Sequence, residues 1–172
     1  MSSFLESLAA MQPIPRRYQL FISHAWDYKG DYERLIELLN GYPFFEWDNL
    51  SVPVDKPLAT LLHLPRSYRY LVRQLDERIS KADCLLVLAG MYVAQRGWIQ
   101  SEIEAAKAFH KPVIAVEPRG SERFPDALVQ SADERVGWNS TSIISAIRRC
   151  ASPATNDLSL LFGEHSSTGW SR

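Results

Sequence analysis

The feature that most constrains the fold is an alternation of short apolar segments with segments of helical periodicity. The most continuous apolar run, CLLVLA at residues 84–89, is typical of a strand buried on both faces. Helical spacing precedes this run at residues 67–81 and follows it at residues 98–110. Strands and helices in alternation predict a parallel sheet that is covered by helices on both faces.

Four further apolar segments complete the pattern, and their strands are predicted at residues 18–22, 44–47, 112–116 and 135–138. Tyr32, Leu35 and Leu39 recur at helical spacing before Gly41, and another helix is predicted at residues 140–150. Five strands joined in this way predict an α/β fold of the flavodoxin-like type. This fold is a three-layer sandwich around a five-stranded parallel sheet with the strand order 2-1-3-4-5.

The predicted domain covers residues 17–150 and leaves an extension at each end. Residues 1–16 predict a short helical extension that Pro13 ends, and we expect this helix to dock on the domain. Residues 151–172 are rich in Ser, Thr and Gly, and we expect this tail to be partly disordered. A chain of 172 residues therefore fits one domain with terminal extensions.

Charge, hydropathy and cysteine content exclude several classes of function. The 19 basic and 20 acidic residues leave a net charge of -1, without the basic surface that nucleic-acid binding needs. The sequence has no apolar run long enough to span a bilayer, and its first residues do not resemble a signal peptide. Cys84 and Cys150 do not form the disulfide framework of a small secreted domain. We therefore expect a cytoplasmic protein that binds neither nucleic acid nor membranes.

Sheets with this strand order bind ligands beyond the carboxyl ends of their strands, where the order reverses between strands 1 and 3. This rule selects three loops, at residues 23–28, 48–66 and 90–97. Ser23 and His24 in the first loop do not form a hydrolase pair, because adjacent strand residues point to opposite faces and the sequence has no G-x-S-x-G motif. We expect residues of this loop to line a small-molecule pocket instead.

Two carboxylates near the start of the predicted helix 98–110 have different settings. The stripe that faces the sheet is taken as Ile99, Ile103, Ala106 and His110. Glu102 then lies at the border of this stripe, whereas Glu104 points to water. Glu102 is either a carboxylate in a semi-apolar site suited to chemistry, or a charge that interacts with the helix dipole or pairs with Lys107 or Arg73. The helical arithmetic leaves both interpretations open.

Motifs for metals and phosphates are missing from the sequence. The 4 histidines are too scattered for ligand spacing, and there is no H-E-x-x-H or C-x-x-C motif. No P-loop is present and no G-x-G-x-x-G follows the first strand, which disfavours kinases, nucleoside triphosphatases and classical dehydrogenases. We therefore expect neither a metal site nor a bound cofactor.

Three segments resemble the TIR (Toll/interleukin-1 receptor) family. YQLFISH at residues 18–24 resembles its opening strand, which ends in Phe-Ile-Ser, and WIQSEI at residues 98–103 resembles the helix motif in which a tryptophan precedes the catalytic glutamate by four positions. WDNLSVP at residues 47–53 resembles the loop after strand 2 in the bacterial subgroup that includes the TIR-like sensors of Thoeris anti-phage defence. The resemblance covers residues 18–150.

The resemblance implies an enzyme that cleaves the bond between nicotinamide and ribose in NAD⁺. Glu102 would be the catalytic residue, stabilising an oxocarbenium-like transition state. The residues that would bind the substrate are Ser23, His24, Trp26, Asn49, Ser51 and Trp98. NAD⁺ would be a substrate rather than a cofactor. In Thoeris the product would be a signalling nucleotide derived from ADP-ribose, which acts on a separate effector protein.

A different function remains open within the same family. Many TIR domains are interaction modules without catalysis, so the alternative is a non-catalytic protein-interaction or nucleotide-binding module. Glu102 in its predicted position favours the enzyme, whereas a solvent-exposed and salt-bridged Glu102, with no cavity between the three loops, favours the module. Because TIR domains often act as assemblies, we also expect a homo-oligomer. A receiver domain is disfavoured because Asp27 has no acidic residue paired with it.

Overall fold

The computed structural model describes residues 16–23, 29–51, 65–92, 96–117 and 124–151. The predicted helix at the start of the chain and nearly all of the predicted tail lie outside these ranges. His24 and Trp26, two of the predicted substrate-binding residues, lie outside them as well.

One sheet forms the centre of the fold. Its strands are β1 (Arg17–Ser23), β2 (Glu46–Asn49), β3 (Cys84–Leu88), β4 (Val113–Val116) and β5 (Glu134–Val136). The strand order is β2-β1-β3-β4-β5, and all neighbouring strands are parallel. The predicted fold class and strand order are therefore confirmed. Strands β3 and β4 are buried along their whole length, as expected for apolar strands that are covered on both faces.

Helices cover both faces of the sheet. They are α1 (Lys29–Asn40), α2 (Pro65–Lys81), α3 (Ala89–Tyr92), α4 (Arg96–Ala108), α5 (Asp126–Ser131) and α6 (Ser140–Cys150). Helix α1 packs against α6, and α2 packs against α4, which gives the three layers that the sequence predicts. Helix α4 also packs on β3 and β4, and this packing places its first turns beside the carboxyl ends of the strands.

Several predicted element boundaries are wrong, including the end of β5, which is Val136 rather than residue 138, and the predicted loop at residues 90–97, part of which forms α3. Strand β2 begins at Glu46 rather than at residue 44, because Phe44 has a φ of 58° and its side chain is 94% exposed. Helix α4 ends at Ala108, so His110 does not continue the sheet-facing stripe. His110 is exposed and has a φ of 54°. Its N–H donates to the carbonyl of Lys107, which closes the end of the helix.

Neither a membrane span nor a metal cluster is found in the described part of the chain. No helix there combines the length and the hydropathy that crossing a membrane requires. The same residues include no group of three or more His, Cys, Asp or Glu side chains that could hold a metal ion. Cys84, buried at the start of β3, carries a free thiol whose pKa is raised by burial.

Candidate functional site

Glu102 is one of three polar side chains in the described ranges that are classed as buried. Only 4% of the residue is exposed, and it shares the covered face of α4 with Ile99, Ile103 and Ala106. Helical arithmetic places Glu102 at the border of the apolar stripe, and packing against the sheet and the neighbouring helices buries it. Glu104 is exposed, as its position on the helix predicts.

Two side chains hold the Glu102 carboxylate from opposite sides. The hydroxyl of Ser23, the last residue of β1, donates to Oε2, and Nε1–H of Trp98 donates to Oε1 at 2.9 Å. Trp98 precedes Glu102 by one turn of α4, whereas Ser23 reaches it from the sheet. Strand β1 lies next to β3, and α4 covers β3, so the end of β1 and the start of α4 meet at the carboxyl edge. In parallel sheets this edge is where ligands bind.

Burial raises the pKa of the Glu102 carboxyl to about 8, and the hydrogen bonds from Ser23 and Trp98 oppose this rise. Among the described residues, no Lys, Arg or His forms an ion pair with Glu102. Lys107 instead binds Asp133 at 2.7 Å. Arg73 acts on Glu77 of its own helix, whose pKa is lowered mainly by the hydrogen bond from Lys81 and to a lesser extent by the charge of Arg73. The interpretation of Glu102 as a charge paired with Lys107 or Arg73 is therefore wrong.

Asn49 and Ser51 have hydrogen bonds within the protein at the end of β2. The Ser51 hydroxyl accepts a hydrogen bond from the backbone N–H of Ile22 at 2.8 Å, in place of the carbonyl that a longer strand would supply. Asn49 accepts from the Ser51 N–H at 2.9 Å and donates to the hydroxyl of Tyr32 at 2.7 Å. These contacts fix the chain beside the last residues of β1. A role for Asn49 and Ser51 in binding substrate stays a prediction.

Two further residues near this edge were not predicted from the sequence. Arg78 of α2 donates to the carbonyls of Leu50 at 3.1 Å and Ser51 at 3.3 Å, which ties α2 to the end of β2. The buried Tyr92 of α3 binds the side chain of Gln100 on α4 at 3.0 Å. Arg78 lies on the partly buried face of α2, and the helical spacing of residues 67–81 could have indicated this position. No pattern in the sequence distinguishes Tyr92 from other core aromatic residues.

Two of the open clefts that described residues line do not border Glu102. One, of about 330 Å³, lies between β5 and α6 and is lined by hydroxyl side chains, Glu134, Arg135 and Arg149. The other, of about 430 Å³, lies at the amino edge of the sheet between Arg16, Asp83 and His110. Of the predicted site residues in the described ranges, the structure brings Ser23 and Trp98 into hydrogen-bond contact with Glu102.

The sequence also matches a known family. Residues 21–123 match the model of the Thoeris protein ThsB, TIR-like domain. This segment is more than half of the chain and includes Ser23, Trp98 and Glu102. The chain belongs to the ThsB TIR-like family. The resemblance to Thoeris TIR-like domains that the three sequence segments indicate is thereby confirmed. No sequence among curated proteins matches this ThsB-like chain.

Three solved structures are similar to this ThsB-like domain in outline. The CMP N-glycosidase BcmB of Clostridium botulinum is 17% identical, with a TM-score of 0.44 over 76% of this chain and 98% of its own. The SEFIR domain of IL-17 receptor B is 12% identical, with a TM-score of 0.47 over 81% and 99%. A 3-dehydroquinate dehydratase-like protein of Bifidobacterium longum is 8% identical, with a TM-score of 0.41 over 78% and 94%.

Proposed function

We propose that this ThsB-like domain cleaves NAD⁺ between nicotinamide and ribose, with Glu102 as the catalytic residue. The observation that carries the proposal is the buried Glu102 carboxyl, whose two oxygens are held by Ser23 and Trp98 at the ligand-binding edge of the sheet. Membership of a TIR-like family supports the choice of NAD⁺ as substrate. A carboxyl with a pKa shifted by burial, at the edge where ligands bind, is typical of an active site.

The proposed reaction converts NAD⁺ and water into ADP-ribose, nicotinamide and a proton. When the bond between the ribose carbon and the ring nitrogen breaks, its electron pair stays with nicotinamide and positive charge develops on the ribose. An ionised Glu102 stabilises this charge most strongly if its orientation is already fixed, as the hydrogen bonds from Ser23 and Trp98 would fix it. The positive charge of the bound nicotinamide ring favours the ionised form of Glu102 and so opposes the effect of burial on its pKa.

The signalling role belongs to the same proposal. If a group of the ADP-ribose moiety replaces water as the nucleophile, the product is an ADP-ribose-derived nucleotide instead of ADP-ribose itself. We propose that such a nucleotide carries the signal to a separate effector protein in anti-phage defence. The family of Thoeris proteins supports this context. Self-association into a homo-oligomer and action in the cytoplasm are parts of this proposal.

The decisive test compares wild type, Glu102→Gln and Glu104→Gln in the presence of NAD⁺, with the products separated by mass. Glu104→Gln is the matched control, because the same change is made two residues away on an exposed side chain of the same helix. Wild type and Glu104→Gln should release nicotinamide, and Glu102→Gln should release it at least about 100-fold more slowly. The mass of the second product distinguishes ADP-ribose from a rearranged nucleotide.

The assay should cover a range of protein concentrations and include extract from phage-infected cells, so that self-association or a trigger is supplied. Full activity of Glu102→Gln would remove Glu102 from the mechanism. If the folded wild type binds NAD⁺ but releases no nicotinamide under any of these conditions, the protein is a nucleotide-binding or interaction module instead.

A further inference from the structure

The two donors that hold Glu102 come from different parts of the fold. Trp98 lies four residues before Glu102, so α4 alone brings its N–H to Oε1. Ser23 is 79 residues away in sequence and reaches Oε2 only because β1 pairs with β3 and α4 packs on β3. The contact from Ser23 therefore exists only when the sheet and the helix are assembled.

The Ser23 hydroxyl stabilises the ionised form of Glu102 more than the neutral form. A hydrogen bond from a neutral donor to a carboxylate anion is about twice as strong as one between two neutral groups. Ser23 is completely buried, so water does not compete for its hydroxyl. Trp98 acts in the same direction, but its ring also packs against the hydrophobic core, so replacing it would change more than a hydrogen bond.

No charged group in the described ranges masks the effect of Ser23. The elements around Glu102 are β1, which carries Ser23, and α2, α3, β3 and β4, which pack against α4. The half-buried or buried titratable side chains on these elements are Asp76, Arg78, Tyr92, and, at the amino ends of β1 and β3, Tyr18 and Cys84. None of them contributes to the pKa of Glu102, which depends on burial first and then on Ser23 and Trp98.

We propose that Ser23 is a positioning residue whose hydroxyl orients Glu102 and favours its ionised form, so that it sets the pH range in which Glu102 acts. The part that concerns the reaction rests on the proposed function. The part that concerns the ionisation of Glu102 does not, because it can be measured without turnover.

The first experiment follows the carbon-13 chemical shift of the Glu102 carboxyl carbon from about pH 5 to about pH 10. The signal is assigned as the one that is missing from Glu102→Gln. In Ser23→Ala, the titration midpoint should rise by about one pH unit, which lowers the ionised fraction at neutral pH by about tenfold. Ser23→Thr keeps a hydroxyl and should restore the wild-type midpoint.

The matched control is Ser101→Ala, on the same helix and next to Glu102 in sequence. Its hydroxyl is exposed and binds the carbonyl of Gly97 at 3.1 Å, so its loss should leave the midpoint unchanged. If Ser23→Ala does not fold, Ser23→Cys replaces it, because a thiol has a similar size and is a weaker donor. Its midpoint should then rise by less than about one pH unit.

The second experiment measures nicotinamide release against pH, because the profile of kcat/KM reports the ionisation of the free enzyme. The pH profile of kcat/KM for Ser23→Ala should shift to higher pH by the same number of pH units as the titration midpoint of the Glu102 carboxyl. An unchanged titration midpoint in Ser23→Ala overturns the proposal, even where activity is lost. A wild type without any nicotinamide release contradicts the proposed function alone, and the titration still decides whether Ser23 controls the ionisation of Glu102.

Discussion

Carboxylates are held in different ways at the two ends of the parallel strands. We call the end where the strands begin the amino edge and the end where they finish the carboxyl edge. At the amino edge, Asp83 accepts hydrogen bonds from the backbone N–H of Gln19 at 2.8 Å and from Arg16 at 2.9 Å. The backbone N–H of Asp83 also donates to the carbonyl of Gln19, so this residue joins β1 to the start of β3. Asp83 thus links β1 to the start of β3 at this edge, and Arg16 neutralises its charge.

Asp133 repeats this arrangement two strands further along the sheet. Its carboxylate accepts hydrogen bonds from the N–H of Val113 and from Lys107, both at 2.7 Å, and its own N–H donates to the carbonyl of Val113. The side chains of Asp83 and Asp133 remain 25% and 46% exposed, so water solvates them as well. Structural carboxylates in this fold therefore have both a cation and solvent.

At the carboxyl edge, the described residues supply Glu102 with no cation, and only 4% of the residue is exposed to solvent. It is buried, and the described residues offer it only the neutral donors Ser23 and Trp98. Ionising such a group costs free energy that an ion pair would offset. The comparison indicates that Asp83 and Asp133 stabilise the fold, whereas Glu102 reduces stability near and above neutral pH. A group that reduces stability at a ligand-binding edge is expected to serve function.

The largest effect should be found in the pH dependence of stability. The pKa of Glu102 rises from 4.5 to about 8 on folding, so between these values the folded state holds more protons than the unfolded state. The free energy of unfolding of wild type should therefore fall with rising pH over this range. Glu102→Gln removes this loss and should be more stable than wild type by about 3–5 kcal/mol at pH 9, relative to their difference near pH 5.

Urea denaturation at a series of pH values measures this difference. Glu104→Gln is the control for replacing a glutamate on the same helix, and it should follow the wild-type curve. If Glu102→Gln and wild type differ by the same free energy at every pH, the contrast between the two edges of the sheet is wrong.

An intermediate effect is expected at the amino edge. Asp133→Asn should lower the free energy of unfolding by about 1–2 kcal/mol, because the amide carries no charge to pair with Lys107 and binds the N–H of Val113 less strongly. Nicotinamide release per folded molecule should not change, since Asp133 lies at the opposite edge from Glu102. Urea denaturation and the NAD⁺ assay test the two parts separately. Loss of activity in a fully folded Asp133→Asn would break the assignment of this edge to stability.

The smallest effect concerns backbone strain at the amino edge. His110 has a φ of 54° at the end of α4, a conformation that glycine adopts without a steric cost. His110→Gly should raise the free energy of unfolding by about 0.5 kcal/mol, because the relief of strain exceeds the entropy that glycine loses on folding. His110→Ala, which keeps the strain, is the control. A thermal melt in which both variants are equally destabilised would contradict this explanation.

The order of the strands could be predicted because the strongest signals lie at the centre of the sheet. Strand β3 is apolar along its whole length, and the helical spacing on either side of it is clear. Helix α5 was not predicted because only Leu128 within its six residues is buried, which leaves no periodicity. Phe44 resembles a strand residue in the sequence, but its left-handed backbone conformation places it in the turn before β2.

The site could be predicted in part. The rule for parallel sheets selects the end of β1, and the spacing of α4 selects Glu102 over Glu104. Neither rule shows that Ser23 and Glu102 are in contact, because that contact depends on the position of α4 relative to β3 along the strand direction. The sequence also cannot show that Ser51 contacts Ile22, since a hydroxyl in a loop has many possible partners.

The hydroxyl of Ser51 constrains how this family can vary. Strand β2 ends before it reaches Ile22, and the backbone N–H of Ile22 is buried beside Ser51. Loss of the Ser51 acceptor from this buried N–H is costly, so a relative with a strand of the same length is expected to keep a side-chain acceptor such as Ser, Thr, Asn or Asp at this position. A relative that has an apolar residue here is expected to have a longer second strand. The residue at position 51 thus reports the length of β2 in sequences whose structures have not been determined.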